Sequence, residues 1–294
     1  MKTVKLSCFH THTDFCDGKG DIESFCSRAL EKGFCSLGFS SHAPIEKKTG
    51  IVQKHWNMME HEGRLEKYIE AVNAAKKAWE GRLRIFLGLE VEYIPGLVSP
   101  SDEYYQKLGL DYVIGAVHYV LPSKGRPFAV DNSFDKVKQG IQESYGGDPM
   151  AVVDDYFKSV EKLITEGGFD FLAHPDLIKK HNSNNRLFNA DSSFYGEKCK
   201  TAASLAGNRG ITIEINTGGI NRGYIETPYP SLSFLEMFRK NSVPAMINAD
   251  AHNPEELDGY YGLAIETMLA AGYKKTVLFE GRKNNCPVWT EENL

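Results

Sequence analysis

Short apolar runs recur along this chain, and most of them end on a residue able to bind a metal ion or a proton. The runs at 4–9, 36–39, 84–91, 112–117, 169–173, 211–215 and 243–247 have strand length and are bounded by turn-forming residues. A further run at 276–279 predicts a last strand before an irregular tail. Helical stretches lie between them. Asp21 stands where an N-cap belongs for a helix over 22–32 that Gly33 closes. Leu65, Ile69, Val72, Ala75 and Trp79 give a helical period over 62–80 that stops at Gly81. The stretches 95–110 and 121–145 predict loops and helices laid over one end of the molecule. Strand and helix alternate from end to end, which argues for parallel βα units.

Six of the nine histidines fall at the ends of these strands: His10, His12, His42, His118, His174 and His252. Asp17, Glu90, Asp176 and Asp250 stand among them. An open doubly wound sheet gathers its site at one crevice between a few strand ends. A closed barrel brings every strand end to one face. Donors spread over at least six strand ends therefore predict an α/β fold of the (β/α) barrel type, with the site at the C-terminal ends of the strands. No internal repeat, low-complexity tract or linker interrupts the chain, so residues 1–294 read as one domain.

In His10-Thr11-His12 the two imidazoles, two residues apart on an extended segment, project to the same side and can chelate one metal. Asp250-Ala251-His252 repeats that spacing after another apolar run. Within Gly88-Leu89-Glu90-Val91-Glu92 a charge is costly unless paired or metal-bound. Glu90 and Glu92 share one face by alternation, and one of them points inward.

Composition narrows the function. The formal charge is −5 and the sequence pI about 6.0, with no basic footprint for a nucleic acid. No run approaches the roughly 18 apolar residues that span a bilayer, and residues 1–6 lack the apolar core of a signal peptide. Six dispersed cysteines without a CxxC pair read as reduced thiols of a cytoplasmic protein.

The ordered motifs His10-Thr11-His12 with Asp17, Ser41-His42-Ala43, Gly88-Leu89-Glu90, Gly115-Ala116-Val117-His118, Ala173-His174-Pro175 and Asn248-Ala249-Asp250-Ala251-His252 resemble those of the PHP (polymerase and histidinol phosphatase) superfamily. The resemblance runs from residue 10 to residue 252. It implies a distorted seven-stranded, TIM-like (β/α) barrel holding three divalent metal ions, Zn, Mn or Fe. One metal is expected on His10, His12, Glu90 and Asp250, and a second on the bridging Glu90 with His118 and His174. A third is expected on Asp17, His42 and His252. Many relatives carry a histidine in the first loop, where this chain reads Thr13-Asp14-Phe15-Cys16-Asp17-Gly18; Asp17 is taken as the substitute ligand, with Asp14 as the fallback.

Glu214-Ile215-Asn216-Thr217-Gly218-Gly219, Arg222 and Tyr229-Pro230-Ser231 are similar to the histidinol-phosphate phosphatase branch, as is the segment from Leu172 to Lys180. The implied activity is hydrolysis of L-histidinol phosphate, a small phosphomonoester, by attack of a metal-bound hydroxide. The alternative is a PHP phosphoesterase acting on another small mono- or diester. The catalytic set expected on this basis is His10, His12, Glu90, His118, His174, Asp250 and His252. Arg222 is a candidate phosphate clamp because a guanidinium donates two parallel hydrogen bonds. Asp176 is a candidate to orient a ligand or meet a cationic substrate, and His55, beside Trp56, a candidate substrate contact from a covering loop. Lys179, Lys180 and His181 read as a solvated helix end, and His61 as an exposed helix start.

Overall fold

The computed structural model describes residues 4–45, 49, 51, 62–123 and 127–294. Among them are the strands β1 (Ser7–Cys8), β2 (Ser36–Phe39), β3 (Arg84–Glu92), β4 (Tyr112–Ala116), β5 (Tyr119–Val120), β6 (Phe128–Ala129), β7 (Phe171–Leu172), β8 (Thr212–Asn216), β9 (Ala245–Asn248), β10 (Lys275–Lys283) and β11 (Cys286–Asn293). Seven of these form one parallel sheet in the order β1-β2-β3-β4-β7-β8-β9. The ends meet just beyond β1 and β9. Thr11 bridges Ala251 in parallel, with His12 N–H donating to Ala251 O at 2.8 Å and Ala251 N–H to His10 O at 3.1 Å. The sheet is thus a distorted (β/α)7 barrel, closed through the two segments that carry HxH and DxH.

Nearly every residue of the barrel strands is buried, as parallel strands covered by helices require. Asp21 caps the helix Ile22–Glu31 by accepting the Ser24 N–H at 2.8 Å, and Ile22, Phe25, Cys26 and Ala29 turn inward. The expected helix over 62–80 spans Arg64–Ala78 and buries Leu65, Tyr68, Val72 and Ala75. Longer helices, Pro149–Glu166 and Ser193–Arg209, supply two of the later crossovers. Beyond β4 come the short β5–β6 hairpin and the helix Phe134–Tyr145, whose Gly140 lies against the Phe128 ring.

The far end of the barrel is plugged by aromatic rings. Phe86, Tyr112 and Phe171 lie near the starts of their strands and pack with Phe9, Ile114, Met246, Val277 and Phe279. Tyr112 reaches across to donate to Phe9 O at 2.7 Å. It can do so because Gly38 and Gly88 carry no Cβ; one built on either would sit 2.4 Å from the Tyr112 hydroxyl or ring. The tail beyond Phe279 is not irregular as expected. β10 continues to Lys283, turns through Asn284 and Asn285, both at positive φ, and pairs antiparallel with β11. Phe279 and Trp289 from this hairpin close the plug, with ring centroids 5.4 Å apart. No helix among the described residues is long and apolar enough to cross a membrane.

Candidate metal centre

The strand ends opposite the plug carry the donors. Thr11 faces away from the barrel axis, with its hydroxyl donating to Gly38 O at 2.7 Å and its N–H to Ser40 Oγ at 3.1 Å. Those bonds hold the strand end while His10 and His12 project inward. Glu90 is fixed by its own backbone, with its N–H on Ser40 O at 3.1 Å and its carbonyl accepting from Ala43 N–H at 2.8 Å. His174 and Asp250 have positive φ, 22° and 48°, a strained backbone that turns each side chain back over the barrel mouth.

Three overlapping groups result, each with ligand atoms within 4.8 Å of one another: His10, His12 and Asp250; His10, Glu90 and His174; and His12, Asp17, His42 and His252. Glu90 lies at their centre. Its Oε1 is 2.9 Å from His174 Nε2, 3.3 Å from His10 Nε2 and 3.5 Å from His118 Nε2. Its Oε2 is 2.8 Å from His42 Nδ1 and 3.6 Å from His12 Nε2. Asp250 Oδ1 lies 3.2 Å from His12 Nε2. Asp17 lies 3.7 Å from His42 Nε2 and 3.4 Å from His252 Nε2, while Asp14 is exposed. All nine expected ligands therefore converge, and His12 also joins the group of Asp17, stacking on His252 at 4.2 Å.

The buried atoms His10 Nε2, His12 Nε2 and Asp17 Oδ1 face this centre without a hydrogen-bond partner. Buried donors left bare in this way, all imidazole nitrogen or carboxylate oxygen, fit divalent cations. The charges answer one another as well. Burial favours neutral carboxyls, yet the surrounding imidazoles hold Glu90 and Asp17 well below the carboxylate range, and Arg222 and His10 do so for Asp250. Burial drags His42 and His118 down, but Asp17 and Glu90, and Glu90 and Glu92, lift them to about 9 and about 10. His12 is driven down to about 3 by burial and by His252 and His42. The Cys16 thiol lies 3.5 Å from His12 Nδ1 and is pushed up by burial.

A second ring of side chains steadies the first. Glu92 points inward along with Glu90, so the alternation excluded neither; it accepts from His118 Nδ1 and from His118 N–H, both at 2.8 Å. Glu214 stands against His10 Nδ1. Arg222 lines the cavity above the donors but is turned onto Asp250, with Nη2 3.0 Å from Oδ2 and Nη1 2.7 Å from the carbonyl. His252 Nδ1 lies between this carbonyl, 3.0 Å away, and Arg222 Nη1, 2.9 Å away, while its Nε2 faces Asp17.

The cavity measures about 540 Å³, and Lys19, Asp131, Lys180, Tyr224 and Glu256 complete its walls. Asp176 is not among them. It is fully buried, its Oδ2 accepts from Ser231 N–H at 2.9 Å and Oγ at 2.8 Å, and it borders a neighbouring cavity of about 430 Å³. Its Oδ2 ties two loops together, while its buried Oδ1 has no hydrogen-bond partner among the described residues. Lys180 and His181 are likewise no solvated helix end: Lys180 donates to Asp131 O at 2.7 Å, and His181 is buried against Asn132. Their partners lie some fifty residues away, out of reach of any local pattern. His55 and His61 lie outside the described residues.

The PHP domain family model matches residues 9–218, well over half of the chain. The chain belongs to the PHP domain family. A "Probable histidinol-phosphatase" of Deinococcus radiodurans is 27% identical over 275 residues, 93% of this chain and 96% of its own length. The histidinol-phosphatase of Bacillus subtilis is 28% identical over 272 residues, 88% of this chain and 97% of its own. A HisK crystal structure from Listeria monocytogenes superposes with a TM-score of 0.77 at 22% identity, covering 87% of this chain and 99% of the other. Histidinol phosphate phosphatase from Lactococcus lactis, solved with zinc, L-histidinol and phosphate, gives a TM-score of 0.68 at 15% identity, covering 95% and 99%. These two structures share the PHP barrel described above.

Proposed function

We propose that this PHP protein is a metal-dependent phosphomonoesterase that converts L-histidinol phosphate to L-histidinol and phosphate, a step of histidine biosynthesis. The observation that carries the reading is the donor set around Glu90, opening into a cavity whose rim has both cations and carboxylates, in a chain similar over its length to histidinol-phosphatases. In this reading His10, His12, Glu90 and Asp250 hold one ion, Glu90, His118 and His174 a second, and Asp17, His42 and His252 a third. Zinc, manganese or iron suits such nitrogen and oxygen donors. When bound, these ions supply Lewis acidity, lowering the pKa of water and neutralising phosphoryl charge.

The protein's own groups do the rest. Three carboxylates, Asp17, Glu90 and Asp250, against three dications leave the mouth electropositive toward a phosphate. Arg222 holds Asp250 and His252 in place and turns toward the same cavity, where Lys19 adds a second cation. Asp131 and Tyr224 form the wall where an amino-alcohol leaving group would lie. The reading includes no nucleic-acid or membrane partner, a single domain and a cytoplasmic setting, which six free cysteines suit.

Phosphate release by metal-reconstituted protein from histidinol phosphate and a panel of mono- and diesters tests this. A clear preference for histidinol phosphate is expected. Turnover of it no better than the panel average would overturn the substrate while leaving the PHP assignment intact.

A further inference from the structure

We propose that Glu214 is a positioning residue that fixes the tautomer of His10 and so aims Nε2 into the metal centre. It stands in β8, on the same face as Asn216, and is fully buried. A carboxylate so deep in a barrel is tolerated only when its oxygens are matched by donors. Five contacts match them here. His10 Nδ1 lies 3.1 Å from Oε1 and 3.0 Å from Oε2. His174 N–H donates at 3.1 Å, Asn216 Nδ2 at 2.7 Å and Asn248 Nδ2 at 3.0 Å.

The His174 N–H and the Asn216 and Asn248 amides all donate to Glu214, which acts here as an acceptor, so the imidazole nitrogen that faces it carries the proton. Nδ1–H on the Glu214 side leaves the Nε2 lone pair for the other side. There Nε2 lies 3.3 Å from Glu90 Oε1 and 3.7 Å from Asp250 Oδ1 and has no hydrogen-bond partner. The same carboxylate holds the backbone of His174, a second donor of the centre, from the neighbouring strand. Glu214 thus orients His10 and His174, which belong to one three-residue group with Glu90. Partners of this kind fix ring orientation and raise ligand basicity, and their loss typically costs about 10- to 100-fold in metal affinity.

The inference rests on reading the cluster as a metal centre and is independent of the substrate. Glu214→Gln keeps the shape but places an amide among four donors. Zinc affinity by chelator competition is expected to fall about 10- to 100-fold, with loss of the low-field Nδ1 proton of His10 in nitrogen-15-labelled protein. Affinity within about threefold of the parent in a folded Glu214→Gln protein would overturn the proposal. If that variant does not fold, the unmodified protein decides: a His10 ring protonated at Nε2 and bare at Nδ1, read at alkaline pH, overturns it without any substitution. An unmodified protein that binds no zinc would refute the metal reading, while the His10 tautomer would still judge the role of Glu214.

Discussion

Nδ1 of His42 lies 2.8 Å from Oε2 of Glu90, so the carboxylate expected to bridge two metal positions also touches a donor of the third. Its other oxygen is 2.9 Å from His174 Nε2. Removing Glu90 therefore strips a ligand from the middle of the cluster and leaves several imidazoles without their counter-charge. Glu90→Ala is expected to lose at least one bound metal equivalent by elemental analysis. Activity should fall more than about 100-fold, beyond the range seen when only supporting groups are removed. Loss of less than one equivalent would contradict a bridging role.

The metal-free protein should be least stable at both ends of the pH range. Asp17, Glu90 and Asp250 have folded pKa values held well below the ordinary range, against burial, by His252, His10 and Arg222 and their neighbours. Their contribution is present above the unfolded value near about 4 and is lost as pH falls toward the folded values. His12, driven down to about 3, adds to that acid loss, because only the unfolded chain takes up its proton between about 6.5 and 3. His42 and His118, raised to about 9 and about 10, act oppositely. Their contribution is complete below about 6.5 and disappears as pH rises through the folded values. Thermal melts in chelator should peak between about pH 5 and 6.5, and zinc should remove the alkaline decline because metals take neutral imidazole. A metal-free Tm that climbs from pH 6.5 to 9 would contradict this electrostatic account.

The barrel and its donors were legible because each depends on local pattern. An apolar run followed by HxH or DxH places two side chains on one side of a strand end, whatever the rest of the chain does. The supporting ring was not legible. Glu92 and Glu214 look like charges in strands until the partner histidine, contributed by another strand, is placed against them. Asp176, after His174-Pro175, reads as a candidate to orient a ligand or meet a cationic substrate, and its bond to Ser231, fifty-five residues on, is out of reach of any local pattern. The β11 half of the C-terminal hairpin was hidden because β10 and β11 pair only with each other, leaving β11 largely exposed and without a strong apolar period.

Gly88 shows how the plug governs the site above it. A Cβ there would stand 2.4 Å from the ring of Tyr112, which is fully buried and tethered to Phe9 O. Gly88→Ala is expected to lower unfolding free energy by about 1–3 kcal/mol, the usual cost of overfilling a packed core, as read by urea denaturation. Glu90 lies two residues along the same strand face, so metal affinity should drop together with stability. Unchanged stability would mean that the Tyr112 ring has room to move.

Arg222 and Asp250 form a partly buried ion pair, Nη2 to Oδ2 at 3.0 Å, beneath the cavity. Gly218 leaves space for it: a Cβ at 218 would lie 2.8 Å from Nη2 and 2.9 Å from Oδ2. Without the guanidinium, the Asp250 carboxyl rises toward its ordinary range and loses its orientation. Arg222→Ala should weaken zinc binding about tenfold and reduce kcat, while Arg222→Lys, which keeps the charge but not the paired geometry, should recover only part of each. Full recovery by lysine would mean that charge alone matters at this position.

Asp131 tests the leaving-group wall. Its carbonyl accepts from Lys180 Nζ at 2.7 Å, and that ammonium sits 4.4 Å from the centre of the Tyr224 ring, so backbone and ring together hold the lysine in place. The Asp131 carboxylate is farther from it, 3.8 Å away, and half-buried at the cavity edge. It is thus available to a cationic amino alcohol while the phosphate sits over the metal donors. Asp131→Asn should raise KM for histidinol phosphate about tenfold, the scale of one hydrogen bond to a charged group. The kcat should stay within about twofold, and an aryl phosphate, whose leaving group carries no cation, should show no such rise in KM. An equal rise in KM for both substrates would place Asp131 in a general electrostatic or structural role and would remove it from recognition of the leaving group.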